Sequence, residues 1–289
     1  MAFSRVCIVG VGLLGGSIGL AVRARIEGAR VVGYGHRQST LDKALECGAI
    51  DEAFTDAKLA VKNCDLVVLC TPVGLLEKMV DEIALALMPG AIVTDVGSTK
   101  RTIVAAGEAK LTRQIHFVGS HPMAGSEKRG VEFARTDLFE NATCILTPTE
   151  RTNVNALEKV EQFWSSLGMR TLRLSPTEHD QFLADISHLP HVIAAALVGI
   201  QQEGAIGLAG KGFMDSTRIA GGDGALWRDI LLDNADNMRA SITRITSELA
   251  KLQSLLSRDK SAELEKWLND AAARREQLHR SKLKEINSD

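Results

Sequence analysis

Three polar clusters carry side chains able to do chemistry. The first is Asp95-Val96-Gly97-Ser98-Thr99-Lys100, and the second is Gly119-Ser120-His121-Pro122-Met123-Ala124-Gly125-Ser126-Glu127. The third spreads over His179-Asp180, Ser187-His188-Leu189-Pro190-His191, Asp215-Ser216-Thr217-Arg218 and Trp227. An imidazole is suited to taking a proton near neutral pH, so His121 is a candidate base. Pro122 keeps it out of helical geometry, and the small residues beyond leave room, so the ring is expected at the sheet edge and not packed away. On its own, a structural histidine is an equally good reading. Ser98 either offers a hydroxyl beside a ligand or caps a strand-to-helix turn. Arg218 stands before Gly221-Gly222-Asp223-Gly224, a setting for a pre-formed carboxylate clamp, with a surface ion pair as the alternative. His188 and His191 are three apart, but Pro190 lies between them and no third ligand has suitable spacing, so no metal is expected.

The start of the chain says what these groups act with. The apolar run 5–9 leads directly into Gly10-Val11-Gly12-Leu13-Leu14-Gly15, and a helix-forming stretch follows at 17–25. A Gly-x-Gly-x-x-Gly motif means little alone, but between a strand and a helix it is the dinucleotide-binding arrangement. Gly10 permits the turn, Gly12 lets backbone N–H groups reach a pyrophosphate, and Gly15 lets the helix lie close. The second strand candidate, 30–34, ends in Gly35-His36-Arg37-Gln38-Ser39-Thr40, with no acidic residue to hold a ribose 2′-hydroxyl. A cation and hydroxyls there favour NADP, with Arg37 meeting a 2′-phosphate, while NAD stays open if Arg37 only stacks on adenine. The expected cofactor contacts are Gly10, Gly12, Leu13, Leu14, Gly15, His36, Arg37, Ser39, Thr71, Pro72 and Ser98.

Those clusters must be held by a scaffold, and the apolar pattern describes it. Strand candidates recur at 65–71, 91–96, 115–119, 143–147 and 171–174, separated by mostly helical segments such as 73–87. This alternation predicts an α/β fold with a doubly wound, mostly parallel sheet. Past Pro176 the strand pattern stops, so a nucleotide domain, 1–174, is expected to precede an all-α domain, 175–289. In the latter, Ile242, Ile245, Leu249, Leu252 and Leu256 form one apolar seam that needs a partner helix, either within the chain or on a second copy; we favour a homodimer.

Composition excludes other classes. The chain has 289 residues, with 34 Lys and Arg against 36 Asp and Glu and a net charge of −2, so no general field recruits nucleic acid or anionic membrane. Five scattered cysteines without a C-x-x-C pair read as reduced thiols in the cytoplasm, with Cys7, Cys70 and Cys144 in strands. No signal peptide is expected, and the longest clean apolar run, 192–200, is too short to span a bilayer. The basic stretch 274–284 reads as a solvated helix end.

In order, these motifs resemble the prephenate/arogenate dehydrogenase family: the glycine turn, Asp95-x-Gly97-Ser98-x-Lys100, His121-Pro-Met-Ala-Gly125, His179-Asp180, Ser187-His188-Leu-Pro-His191, and Asp215-x-x-Arg218 with Trp227 downstream. The resemblance implies a Rossmann-type domain followed by a helical dimerisation domain. It also implies oxidative decarboxylation of prephenate to 4-hydroxyphenylpyruvate, or of arogenate to tyrosine. The family's mutase and ACT appendages have no room here, which leaves tyrosine a possible inhibitor at the active site itself. Within this frame His121 accepts the substrate hydroxyl's hydrogen bond, steadied by Ser98. Arg218 clamps a carboxylate, with His191 and Ser187 as further donors. Asp180 and Asp215 orient these groups, or Asp180 pairs with an ammonium; Trp227 completes the substrate site. A β-hydroxyacid dehydrogenase or imine reductase is the competing enzyme, but the helix after Pro176 has no lysine before Lys211. A non-enzymatic redox sensor would need no polar cluster at all.

Overall fold

Runs of Val, Ile and Leu make the strands. The computed structural model describes residues 3–111, 114–126 and 128–287, with side chains as far as 280. The strands are β1 (Arg5–Val9), β2 (Arg30–Tyr34), β3 (Glu52–Phe54), β4 (Leu66–Leu69), β5 (Ile92–Asp95), β6 (His116–Pro122), β7 (Thr143–Thr147) and β8 (Arg170–Arg173). Between and after them come helices α1 (Leu13–Arg25), α2 (Gln38–Glu46), α3 (Ala57–Ala60), α4 (Val73–Ile83), α5 (Arg101–Lys110), α6 (Val154–Ser166), α7 (Pro176–Leu183), α8 (Leu189–Gly199), α9 (Glu203–Ile206), α10 (Lys211–Thr217), α11 (Gly224–Asp233), α12 (Ala235–Leu255) and α13 (Ser261–Asn287).

The strands form one sheet in the order β3-β2-β1-β4-β5-β6-β7-β8. It is parallel from β3 to β6; β7 runs antiparallel to β6, and β8 parallel to β7. The chain reverses its direction of progress between β1 and β4, where open α/β sheets bind ligands at the strands' carboxyl ends. Helices cover both faces, so β1 and β4 are buried over nearly their whole length and need no polar alternation. One core lies around Ile8, Ile18, Val68, Phe139 and Trp164, the other around Val9, Leu69, Leu76, Ile83 and Phe117.

Three elements differ from the sequence expectation. The three-residue β3 is too short to show a pattern. Cys70 lies just past β4 and not in it. β6 continues to Pro122 because His121 and Pro122 pair with Ile145 and Cys144 of β7, which draws His121 into the strand.

From Pro176 to Gly199 the helix is continuous, with a π turn at Ala184–His188 in which Leu189 N–H bonds to the Ala184 carbonyl. Pro190 explains that turn: it lacks an N–H and its ring crowds the carbonyl four residues back, so the helix widens locally. This run is longer than the 192–200 stretch and is long and apolar enough by composition to cross a membrane. Its buried polar groups, His179, Asp180, His188 and His191, are packed within protein.

The chain divides into two compact units, Met1–Met238 and Arg239–Asp289. In the second, the expected seam is uncovered: Ile242, Leu249 and Leu256 are exposed, and Ile245 and Leu252 are half-buried.

Candidate active site

The nucleotide end is shaped by close backbone approach. Gly10 sits at φ +103°, and a Cβ there would lie 3.0 Å from the Cys70 carbonyl. A Cβ on Gly15 would lie 2.2 Å from the Gly10 carbonyl oxygen, so only glycine lets α1 start this close to β1. Gly12 has open space around its missing Cβ and is the N-cap of α1. No side chain caps that helix and no acidic residue lies in its first turn, so its N–H groups are available to an anion. These features fit a dinucleotide pyrophosphate. Leu13 is buried and Leu14 half-buried in α1's first turn. At the end of β2, His36, Arg37 and Ser39 are exposed, and the Arg37 guanidinium makes no ion pair among the described residues. Thr71 and Pro72 follow β4, and the Thr71 hydroxyl is buried without a partner among the described residues.

At the same sheet edge, β5 ends in a closed ion pair. Asp95 and Lys100 are fully buried and bonded to each other. The Asp95 carboxylate also accepts the amides of Gly97 at 2.8 Å and Ser120 at 3.1 Å. The Ser120 hydroxyl donates to the Asp95 carbonyl at 2.6 Å and accepts from Trp164 Nε1 at 3.1 Å. Such satisfaction is what makes a buried charge pair tolerable. Ser98 stands half-buried beside it, and its hydroxyl makes no hydrogen bond among the described residues. It does not cap α5, whose N-cap is Lys100.

One turn away the sheet meets α7. His121 Nδ1 lies 2.8 Å from His179 Nε2, and His179 Nδ1 lies 2.8 Å from Asp180 Oδ1. The Asp180 carboxylate docks on the N-terminus of α5, accepting the Lys100 amide at 2.8 Å and the Arg101 amide at 3.0 Å. It takes the place of the missing side-chain cap and sits in the positive end of the helix dipole. The Arg101 side chain adds a contact at 3.2 Å.

Burial would raise the Asp180 pKa, but hydrogen bonds from His179 and these two amides hold it below the usual carboxylate range. Asp180 is therefore a carboxylate, and His179 must give it the Nδ1 proton. His179 Nε2 is then an acceptor, His121 donates from Nδ1, and the remaining His121 nitrogen, Nε2, carries a free lone pair. Burial, followed by His179, Lys100 and His188, pushes the His121 pKa well below the ordinary value, so the ring is neutral.

These contacts correct two expectations. His121 is buried, only 8 % exposed, because β6 extends through it and His179 covers it. Asp180 does not face a substrate ammonium, because its oxygens are taken by His179, Arg101 and two amides.

The helical residues gather around Trp227. His191 stacks on its indole at 3.5 Å and 11°, and His188 meets it edge-on at 6.1 Å. Burial lowers the pKa of both rings, that of His188 to about 4. The His191 ring bonds to the Ile219 carbonyl while Nδ1 is buried without a partner among the described residues, so the neutral ring offers a lone pair there, and donation to a carboxylate requires protonation. Arg218 starts the exposed turn Arg218–Gly221. The next residue, Gly222, is so close to His191 and Trp227 that a Cβ would lie 2.5 Å from the indole nitrogen. Ser187 is half-buried in the π turn, and Asp215 is exposed on α10.

Sequence reasoning placed His179 in a polar cluster but gave it no role, and it did not single out Asn234. Asn234, buried at the end of α11, donates to the Asp180 backbone carbonyl at 2.8 Å and lies 3.3 Å from His188 Nδ1. The His-Asp dipeptide was visible as a motif, but its partner lies 58 residues away. Asn234 had no local signal.

Comparison with known proteins gives a consistent picture. Residues 18–173 match the model of the prephenate dehydrogenase nucleotide-binding domain, and 175–270 match that of the prephenate dehydrogenase dimerization domain. The chain is 35 % identical over 280 residues to the prephenate dehydrogenase of Bacillus subtilis, covering 94 % of this chain and 76 % of that one. It is similar, at TM-score 0.90 and 33 % identity, to the crystal structure of prephenate dehydrogenase from A. aeolicus in complex with hydroxyphenyl propionate and NAD+, with 96 % and 99 % of the two chains covered. It is also similar to Synechocystis arogenate dehydrogenase, at TM-score 0.82 and 33 % identity over 95 % and 99 % of the chains.

Proposed function

This chain belongs to the prephenate dehydrogenase family and is an NAD(P)-dependent enzyme of oxidative decarboxylation, acting on prephenate or arogenate; we propose that its own residues carry that reaction as follows. The observation that carries the reading is the chain Asp180–His179–His121, which leaves one neutral imidazole lone pair at the carboxyl edge of the sheet.

When bound, the nicotinamide cofactor supplies the hydride acceptor. His121 Nε2 accepts the hydrogen bond of the ring hydroxyl and draws its proton as the adjacent C–H bond gives up its hydride. Loss of the ring carboxylate as CO2 then sends an electron pair into the ring, which becomes aromatic, and the proton returns to the oxygen. A depressed imidazole pKa suits that temporary loan: the proton is held weakly and given back. Ser98, with its unspent hydroxyl, steadies the same oxygen or the nicotinamide amide.

Arg218 and Ser187 hold a substrate carboxylate, Asp215 orients them, and the His191–Trp227 stack makes a wall for the ring. Arg218→Ala is expected to raise the substrate KM at least tenfold, the minimum for a charged hydrogen bond worth about 1.4 kcal/mol, with a smaller change in kcat. NADP is the favoured cofactor because the loop after β2 offers Arg37, His36 and Ser39 and no carboxylate. Functionally the chain divides at 174/175. The second domain makes a homodimer in the cytoplasm, which the exposed seam of α12 and five free thiols support. Tyrosine, sharing the product's ring, competes at the same site.

Steady-state assays of reduced-cofactor formation, run in parallel with prephenate and arogenate and with NAD and NADP, test the proposal. Turnover with NADP at the lower KM is the expected result. No turnover with either substrate would refute the site, and a lower KM for NAD would refute the cofactor preference.

A further inference from the structure

We propose that Arg101 is the positioning residue that, through Asn234, fixes His188 as a hydrogen-bond donor, opposite in sense to the acceptor His121. The contrast with His121 rests on the reading of that ring given above; the donor role of His188 stands on separate contacts.

The first residue of α5 sends its guanidinium in three directions. Nε donates to Asp180 Oδ2 at 3.2 Å, the two terminal nitrogens donate to Asp236 at 2.7 and 2.5 Å, and one of these also donates to Asn234 Oδ1 at 3.3 Å. At Asp180 it adds one contact to the two backbone amides that hold the carboxylate, which accepts the His179 Nδ1–H hydrogen bond. Through Asn234 it acts on the second ring. Asn234 Oδ1 accepts from Arg101 and from Asn237 Nδ2 at 2.8 Å, which fixes the amide so that Nδ2 faces the Asp180 carbonyl and His188 Nδ1. His188 Nδ1 must then accept, and the neutral ring carries its proton on Nε2. That nitrogen is buried and has no hydrogen-bond partner among the described residues. A donor left unspent in a buried place is costly, and His188 also contributes to holding the His121 pKa down. It is kept for an oxygen of the substrate, opposite in sense to the lone pair of His121.

Asp236 completes the hub. It opens α12 and holds the guanidinium from the solvent side, so the fork cannot turn fully to Asp180 or to Asn234. The charged and titratable groups facing His121 are His179, Lys100 and His188, and those facing His179 are Asp180, Lys100 and Asp95. Removing Arg101 leaves the negative charge of Asp180 less balanced. Protonation of His179 and His121 becomes easier, and the acid limb of kcat/KM moves to higher pH.

Ring proton–nitrogen NMR on the cofactor-free protein tests this directly. The wild type is expected to show His121 protonated on Nδ1 and His188 on Nε2. Arg101→Ala should turn His188 into a tautomer mixture and leave His121 protonated on Nδ1, because the backbone amides still hold Asp180. Asn234→Asp, which puts an acceptor against His188 Nδ1, should move the His188 proton to Nδ1 and leave His121 unchanged. In kinetics, Arg101→Ala should lower kcat about tenfold with KM within about twofold, and shift the acid limb upward. A wild-type His188 protonated on Nδ1 would overturn the proposal even if no variant folded. So would an Arg101→Ala protein with the His188 tautomer intact, or one with lowered kcat and an unmoved acid limb. Absence of turnover by the wild type would fault the activity and leave the tautomers standing.

Discussion

The glycine turn at Gly10–Gly15 and the imidazole chain ending at His121 lie at the same edge of one sheet, yet the first is made by withholding side chains and the second by burying them. At the turn, helix and strand approach so closely that one added carbon meets a backbone oxygen. At the chain, polar groups that would ordinarily face water are enclosed and satisfied by one another, from His121 through Asp180 to the first amides of α5. The turn depends on sterics and is insensitive to pH. The chain depends on proton positions and is tied to them. Damage to the two should therefore be distinguishable by what it changes.

The largest effect should come from the end of the chain. His121→Asn keeps a polar side chain but presents no equivalent lone pair, so kcat is expected to fall by about a hundredfold or more while cofactor KM is preserved. Wild-type activity should hold below pH 6.5, because the His121 pKa is depressed and the ring stays neutral there. A variant with near wild-type kcat across pH 6 to 9 would break the contrast. Next is Gly15→Ala, whose Cβ would lie 2.2 Å from a backbone oxygen. It is expected to raise cofactor KM at least tenfold and lower the melting temperature, with no change in the position of the acid limb.

The smallest effect is in stability. His188, at about 4 when folded, binds its proton less readily than in the unfolded chain, where its ordinary value applies. The unfolded state therefore takes up more protons below pH 6.5, and stability is lost as pH falls from about 6.5 to about 4. His188 alone accounts for roughly 3 kcal/mol over that window. Melting temperatures across the range should show the decline, and His188→Gln should flatten it.

The same contrast explains what the sequence made legible. The glycine turn, the α/β alternation and the change to helix at Pro176 are local patterns, and each was readable within a few dozen residues. The roles of Ser98 and Arg218 were approachable only as motifs. The partnership of His121 with His179 is not local: it needs β6 to extend by pairing with β7, and α7 to return across the sheet end. Asn234 looks like any polar residue at a helix end until Arg101 and Asp180 are placed around it. The short β3 fell below the length at which alternation can be counted.

The widened turn at Ala184–His188 has a further consequence. Deleting one residue here would close the wide turn to an α turn, but each residue advances a helix by about 100°, so inserting one would swing everything downstream by more than a quarter of a circle. His191 would leave the indole of Trp227 although no side chain in the site had been altered. Along this stretch the number of residues is constrained as tightly as their kind. A single-codon insertion here is expected to break the His191–Trp227 stack, whereas exchange of Ile186, exposed on the same turn, leaves that stack in place.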